Sequence, residues 1–333
     1  MIHRSSWPQP LRRLALGAAV ALLSLAALPT GAQDAYPRKP ITLIVPFPAG
    51  GPTDIQLRAL GNAISKQLKQ PVVVMNQPGA AGTMAPGNMT RTAAPDGYTV
   101  SAIASSLYRL PHIQSVPYDP LKDFTYIAAV SEYVFGVAVS AESPYRTVQD
   151  LVAAAKAKPG QINVGAISNG SSGHAALLRW SKLAGFQANA IPYKGGADAI
   201  QALLGGHIDA MSESGWATMA EQGKVRPLAI YSDKRNPYLP NVPTMKELGW
   251  DVVVHSVFGI AGPKGMDPKV VQTLQESIRK AMDDPDFKKT LQLSSQPTTY
   301  MDSAEYTRFV AAQFEVEKRI VQELKAAGVN LSQ

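Results

Sequence analysis

Ile41-Thr42-Leu43-Ile44-Val45-Pro46-Phe47-Pro48-Ala49-Gly50-Gly51-Pro52-Thr53-Asp54 is the stretch from which the rest of this chain is read. Five β-prone residues, long enough for a buried strand, run into two prolines that cannot donate to a sheet ladder. Gly50 and Gly51 then free the backbone to turn. Thr53 or Asp54 is expected to cap a helix carrying Ile55, Ala59, Ile64 and Leu68 as its apolar stripe. A strand, a glycine turn and a helix leave backbone N–H groups at the positive end of a helix dipole, where an anion is stabilised. Shape alone does not separate such a site from an ordinary βα connection.

Upstream, residues 1–32 read as a secretory signal peptide: Arg4, Arg12 and Arg13, an apolar Leu14–Leu28, then Thr30-Gly31-Ala32 for cleavage. The chain is therefore expected to be exported from the cytoplasm. Without those three arginines the formal charge falls from +7 to +4, with no basic run, which gives no case for nucleic acid. The chain has no cysteine, so neither a lipid anchor at a cysteine nor a disulfide frame is available.

Downstream, Pro71–Met75 reads as a second buried strand, Asn76–Gly82 as a turn cluster with a helix after it, and Tyr98–Ala104 as a third strand. Strands alternating with helices predict parallel βαβ units, with ligands at the carboxyl ends of strands. That points to Pro46–Asp54, Asn76–Gly82 and Ser105-Ser106. The run Phe135–Val139 reads as a crossover into a second α/β set extending to residue 231. A loop with a short helix to Leu248 follows, and Val252–Ala261 reads as the return. Asp267-Pro268 and Asp284-Pro285 each read as an N-cap with proline at the first helical position. The expected division is residues 36–135 with 257–333 as domain 1 and 136–256 as domain 2, a cleft between them and two crossover hinges.

A second polar turn, Ser168-Asn169-Gly170-Ser171-Ser172-Gly173-His174, again joins a strand to a helix. It reads either as a partner anion loop or as a plain serine cap. Ser172 with His174 also admits a secreted hydrolase, although no G-x-S-x-G elbow is present. His112, His207 and His255 are scattered without metal-ligand spacing, so no metal is expected. A dinucleotide fingerprint and a phosphate-binding Walker loop are both missing, so no cofactor is expected and an enzyme is disfavoured. Lys194, in Tyr193-Lys194-Gly195-Gly196, is either a cleft cation or a solvated lysine. Ser212 and Ser214 alternate with Met211 and Glu213 and are expected on one strand face. Trp216 is read two ways, as a stacking wall for a ligand or as a core residue.

Seven marks, in order, resemble the receptors of the tripartite tricarboxylate transporters. They are Pro46–Asp54, Asn76–Ala80, Pro95–Thr99, Tyr118–Phe124, Pro192–Gly196, Gly223–Ala229 and Leu239–Thr244. The resemblance covers almost all of the chain after residue 32. It implies an α/β, two-domain, type II-like periplasmic binding fold with mixed, mostly parallel sheets flanked by helices. It also implies a small organic carboxylate held by two facing loops. Those loops map here to Phe47, Ala49, Gly50, Gly51, Thr53 and Asp54, and to Asn169, Gly170, Ser171, Ser172 and His174. The remainder of the ligand maps near Ser105, Ser106, Ser212, Ser214 and Trp216, with Tyr193, Lys194 and Gly195 alongside. Implied partners are the integral membrane subunits of an ion-coupled importer, or a membrane sensor kinase in their place, and the receptor is expected to act as a monomer. Two positions depart from the family's habit: Ala81, where glycine is usual, and Ala85-Pro86, in place of another common glycine.

Overall fold

The computed structural model describes residues 36–326 together with Gly328, Val329 and Leu331. The expected signal peptide lies outside the described residues. From Lys39 onward the chain forms one compact unit, built on two mixed sheets. No helix among the described residues is long and apolar enough to cross a membrane.

The first sheet begins as expected. β1 (Ile41–Val45) leads through the Pro46–Gly51 turn into α1 (Pro52–Leu68), then β2 (Val72–Asn76), α2 (Met84–Thr92), β3 (Thr99–Ile103), α3 (Ser106–Ile113) and β4 (Phe124–Glu132). The second sheet follows with β5 (Gly136–Ser140), α4 (Val148–Ala157), β6 (Asn163–Ile167), α5 (Ser172–Ala184), β7 (Asn189–Tyr193), α6 (Gly196–Leu204), β8 (Ala210–Glu213), α7 (Ala217–Glu221) and β9 (Val225–Ile230). The chain then returns to the first sheet as β10 (Val257–Pro263), α8 (Pro268–Ala281), α9 (Pro285–Leu293), β11 (Thr298–Met301) and α10 (Ser303–Ala326). Strand order is β11-β4-β10-β3-β1-β2 in the first sheet and β7-β6-β8-β5-β9 in the second.

Four pairings are parallel and five antiparallel among the described residues, so the sheets are mixed but not mostly parallel. The reason lies in the two crossings. A strand that enters a sheet from the neighbouring one has no βαβ helix to reverse it, and β10 and β5 both pair antiparallel with their neighbours. β2 is an edge strand whose Val73 and Met75 face solvent, not the doubly covered strand its apolar run suggested. The expected short helix before Leu248 is a single turn: Leu248 donates its N–H to the carbonyls of Thr244 and Met245, and Gly249 at φ +90° turns the chain away. Asp267 and Asp284 do cap α8 and α9 with proline behind them.

The chain crosses from the first sheet to the second between Glu132 and Gly136 and returns between Ile230 and Val257. The crossing segments are bonded to each other, Tyr133 N–H to Ser256 O at 2.9 Å and Tyr231 N–H to Phe135 O at 2.8 Å. Each sheet has its own apolar cluster, around Tyr108, Tyr126 and Tyr306 in the first and around Leu203, Met211 and Trp216 in the second.

Candidate functional site

A cavity with about 620 Å³ of space, mouth included, lies where the two sheets meet. The starts of α1 and α5, one helix from each sheet, both open onto it through Gly51, Pro52 and Thr53 and through Ser171 and Ser172.

The α1 end is shaped from behind. Gly51, not Thr53 or Asp54, occupies the cap position, and no side chain caps the helix. Asp54 is buried and instead ties the loop down. Its carboxylate accepts from Gly50 N–H at 2.9 Å, Asn76 Nδ2 at 2.8 Å and Arg58 Nε at 3.0 Å. Asn76 also donates to Phe47 O at 3.1 Å. Burial alone would raise the Asp54 pKa, but the bonds from Arg58, Gly50 and Asn76 outweigh it and hold it below the usual range. Gly50 is at φ +77°, which a side chain resists.

The α5 end is a serine cap: Ser171 Oγ accepts from His174 N–H at 3.2 Å. His174 Nδ1 in turn accepts from Gly170 N–H at 3.2 Å. Burial, helped by Arg109, pushes the His174 pKa down to about 4, so the ring is neutral. Its Nδ1 is spent on Gly170 and no bond joins it to Ser172, so the two do not form a nucleophile–base pair.

Hydroxyls line the space between the two helix starts. Ser105 Oγ lies 2.8 Å from Ser172 Oγ and 2.9 Å from Ser256 Oγ, and Thr53 Oγ1 lies 2.9 Å from the Tyr133 hydroxyl. Behind Ser172 is a cation that the sequence reading did not place here. Arg109 of α3 donates from Nη1 to Ser172 Oγ and Gly170 O, both at 3.2 Å. Its Nε and Nη2 donate to the Glu317 carboxylate of α10, at 2.7 and 2.6 Å. Burial would lower the Arg109 pKa, but Glu317 more than reverses it.

Of the expected residues, Phe47, Gly51, Thr53, Ser105, Ser106, Ser171, Ser172 and Ser214 line the cavity. Ala49, Gly50 and Lys194 face solvent, so Lys194 is the solvated lysine. Asp54, Asn169, Gly170 and His174 shape the two loops without lining the cavity, and Tyr193 packs beside the core of the second sheet. Gly195 is the close-contact point between loops: a Cβ there would come within 2.7 Å of Pro48. The expected serine face of β8 holds for Ser214 and fails for Ser212. Ser212 is buried, donating to Gly173 O at 2.9 Å with its oxygen 2.8 Å from the Tyr231 hydroxyl, whereas Glu213 and Ser214 reach the cavity. Trp216 is the core residue of its two readings: buried, it donates Nε1–H to Glu213 O at 2.8 Å and is not among the residues that line this cavity.

The sequence reading missed Tyr133, Phe135, Ile167, Glu213 and Ser256. Tyr133 and Phe135 flank the first crossing, and two aromatics at a crossover could have marked them. Glu213 is the lone charge in Ala210–Gly215, a signal that was present but unused. Phe47, Tyr133, Phe135 and Ile167 give the cavity apolar walls. Among its lining residues there is no lysine, arginine or histidine.

The model of the tripartite tricarboxylate transporter family receptor matches residues 56–326. A curated relative from Cupriavidus necator, a UPF0065 protein in the gbd 5' region, is 42% identical over 95% of this chain and 97% of its own. BugT of Bordetella pertussis is 36% identical over 80% of this chain and 83% of its own. Among solved structures, the periplasmic binding protein BugD is 29% identical with a TM-score of 0.82, covering 88% of this chain and 99% of its own. A Rhodopseudomonas palustris protein with adipate is 26% identical at TM-score 0.82, covering 89% and 99%. MatC of the same organism, with bound malate, is 26% identical at TM-score 0.78, covering 86% and 100%.

Proposed function

Because this chain belongs to the tripartite tricarboxylate transporter receptor family, we propose that it is a periplasmic solute-binding receptor. In this reading it closes on a small organic carboxylate and presents it to the integral membrane subunits of an ion-coupled importer. One observation carries the reading: two helix N-termini from different sheets, with serine hydroxyls between them, converge on one cavity whose lining holds no cation. Backbone amides and hydroxyls at helix starts favour an anion, and each charged hydrogen bond is worth about 1.5–3 kcal/mol. The carboxylate would sit between Gly51–Thr53 and Ser171-Ser172. Phe47, Tyr133, Phe135 and Ile167 would cover a hydrocarbon body.

The bound malate of MatC and the adipate of the second Rhodopseudomonas protein fit this class of ligand. Residues 36–135 with 257–333 form one domain and 136–256 the other, with the crossings near Tyr133 and Ser256 as hinges. The receptor acts as a monomer, is exported by cleavage of residues 1–32, and turns nothing over. Thermal-shift and calorimetric titration against adipate, malate, benzoate and citrate test the proposal, since a native-state ligand raises the melting temperature by mass action. Adipate or benzoate is expected to bind more tightly than citrate, whose further carboxylates would find no cation. Binding by none of the four, or hydrolysis of an ester probe that is lost in Ser172→Ala, would overturn it.

A further inference from the structure

One side chain of the cavity has no role in the anion cradle just described. Glu213 ends β8 and is 1% exposed. It is the only acidic or basic side chain among the cavity's lining residues. Its Oε2 is buried without a hydrogen-bond partner, and it packs against the start of α5: a Cβ on Gly173 would stand 2.7 Å from it. The carboxyl therefore shares the end of the cavity to which the serines of α5 belong. An ionised glutamate there would repel a bound carboxylate and compete with it for the same helix dipole. An unpaired buried polar atom carries a free-energy penalty until something bonds to it.

We propose that Glu213 works as a neutral carboxylic acid, its O–H donating to an oxygen of the bound ligand, so that the receptor selects oxygen-acceptor carboxylates and rejects ligands presenting an ammonium at that end. This deepens the carboxylate reading and rests on it. No bond is made or broken; the proton stays on Glu213 and is shared with the ligand oxygen.

The surroundings favour the acid form. Burial pushes the Glu213 pKa up to about 8, against the opposing pull of the Ile167, Ser214 and Gly173 amides and of Arg109. Arg109 on α3 is already paired with Glu317 of α10 and so is only a partial counter-charge. His174 on α5 is neutral above about pH 4. Tyr133, beside the first crossing, and Tyr231, after β9, are both pushed above the usual phenol range by burial. Of the groups facing the carboxyl, Glu213 alone changes charge near neutrality.

Adipate is the probe. Calorimetric titration across about pH 6 to 9 should show its affinity falling about tenfold between roughly pH 7 and 9, as Glu213 ionises in the free protein and must regain its proton to bind. Glu213→Gln, which keeps a neutral donor, should flatten that slope. Glu213→Leu should weaken binding at least tenfold at about pH 6, where the native acid is fully formed. Infrared difference spectra of the unligated protein supply a readout that needs no ligand. A protonated-acid carbonyl band present near pH 7, lost near pH 9 and missing in Glu213→Gln supports the proposal. An ionised Glu213 at neutral pH, a pH-independent affinity in the native protein, or tighter binding of 6-aminohexanoate than of adipate with affinity rising with pH would each overturn it. A neutral Glu213 in a protein that binds none of the carboxylates tested would instead remove the parent reading, and the ligand half of this one with it.

Discussion

Glu317→Gln is the substitution that asks most of this structure. The Arg109–Glu317 pair is bidentate, with both side chains 4% exposed. It joins α3 to the C-terminal helix α10 on the first-sheet side, while the remaining nitrogen of Arg109 reaches the loop of the second at Gly170 and Ser172. Two charges taken from water are held mainly by each other. Leaving either one uncompensated typically costs about 3–5 kcal/mol, whereas replacing both by well-packed apolar side chains is near neutral. Urea unfolding of Glu317→Gln should thus show a loss of about 3–5 kcal/mol, little changed by salt because the pair is buried. Arg109→Met should lose a similar amount. The double replacement Arg109→Met with Glu317→Met should recover most of the stability, giving a large coupling energy. Its affinity for adipate should stay reduced, because Ser172 and the Gly170 carbonyl have lost their donor. A single substitution costing under about 1 kcal/mol, or a double no more stable than the singles, would show that the pair is not the mutual support described here.

Gly173→Ala should be among the most damaging substitutions in the chain, since its Cβ would lie 1.9 Å from Ser212 O; a native-like unfolding midpoint for that variant would contradict the packing of α5 on β8. Trp216→Phe should lower stability yet leave adipate affinity within about twofold and any ligand-induced fluorescence quench in place, because the ring is core; loss of the quench would put the ring back in the cavity. His255 lies 3.2 Å from both Glu132 and Asp233, bridging the two crossings, and its bond to Glu132 raises its pKa above the ordinary 6.5. Its contribution to stability is therefore fully present below about pH 6.5 and lost as pH rises through the higher folded value. The stability gap between the native protein and His255→Gln should shrink over that range, and a constant gap would refute the bridge.

The parts of this fold that were legible in the sequence are those set by local chemistry. Proline and glycine after Ile41–Val45 ended a strand and began a helix, and aspartate before proline started α8 and α9. What was not legible depended on partners distant in sequence. An apolar run such as Val72–Met75 does not say whether a second strand will pair with it, and among the described residues none does. The face of Ser212 and Glu213 depended on β8 lying between β6 and β5 and on α5 docking over it, through the Ser212 bond to Gly173 O. The return of Trp216 into the core depends on Gly215 at φ +88°. Ala81, noted from sequence as an unusual non-glycine, sits at φ +53°, in the region where L-residues are strained by roughly 1–2 kcal/mol. It is held there while its carbonyl accepts from Ser106 Oγ at 2.7 Å. The departure from family habit was visible, but its conformation was not.

The hidden Arg109 changes how the cavity's charge is understood. The proposed preference for a ligand with an apolar body over citrate rests on a lining that holds no cation. The structure adds a guanidinium one hydroxyl away, yet its charge is taken up by Glu317 through two short bonds. What reaches the cavity is a donor that orients Ser172, and through it Ser105 and Ser256. An exposed arginine would hold a carboxylate strongly and less selectively, through a fork it could offer to any anion. A chain of oriented hydroxyls binds more weakly and only where its geometry is met. That is the property a receptor needs if it must first close on its ligand and then let it go.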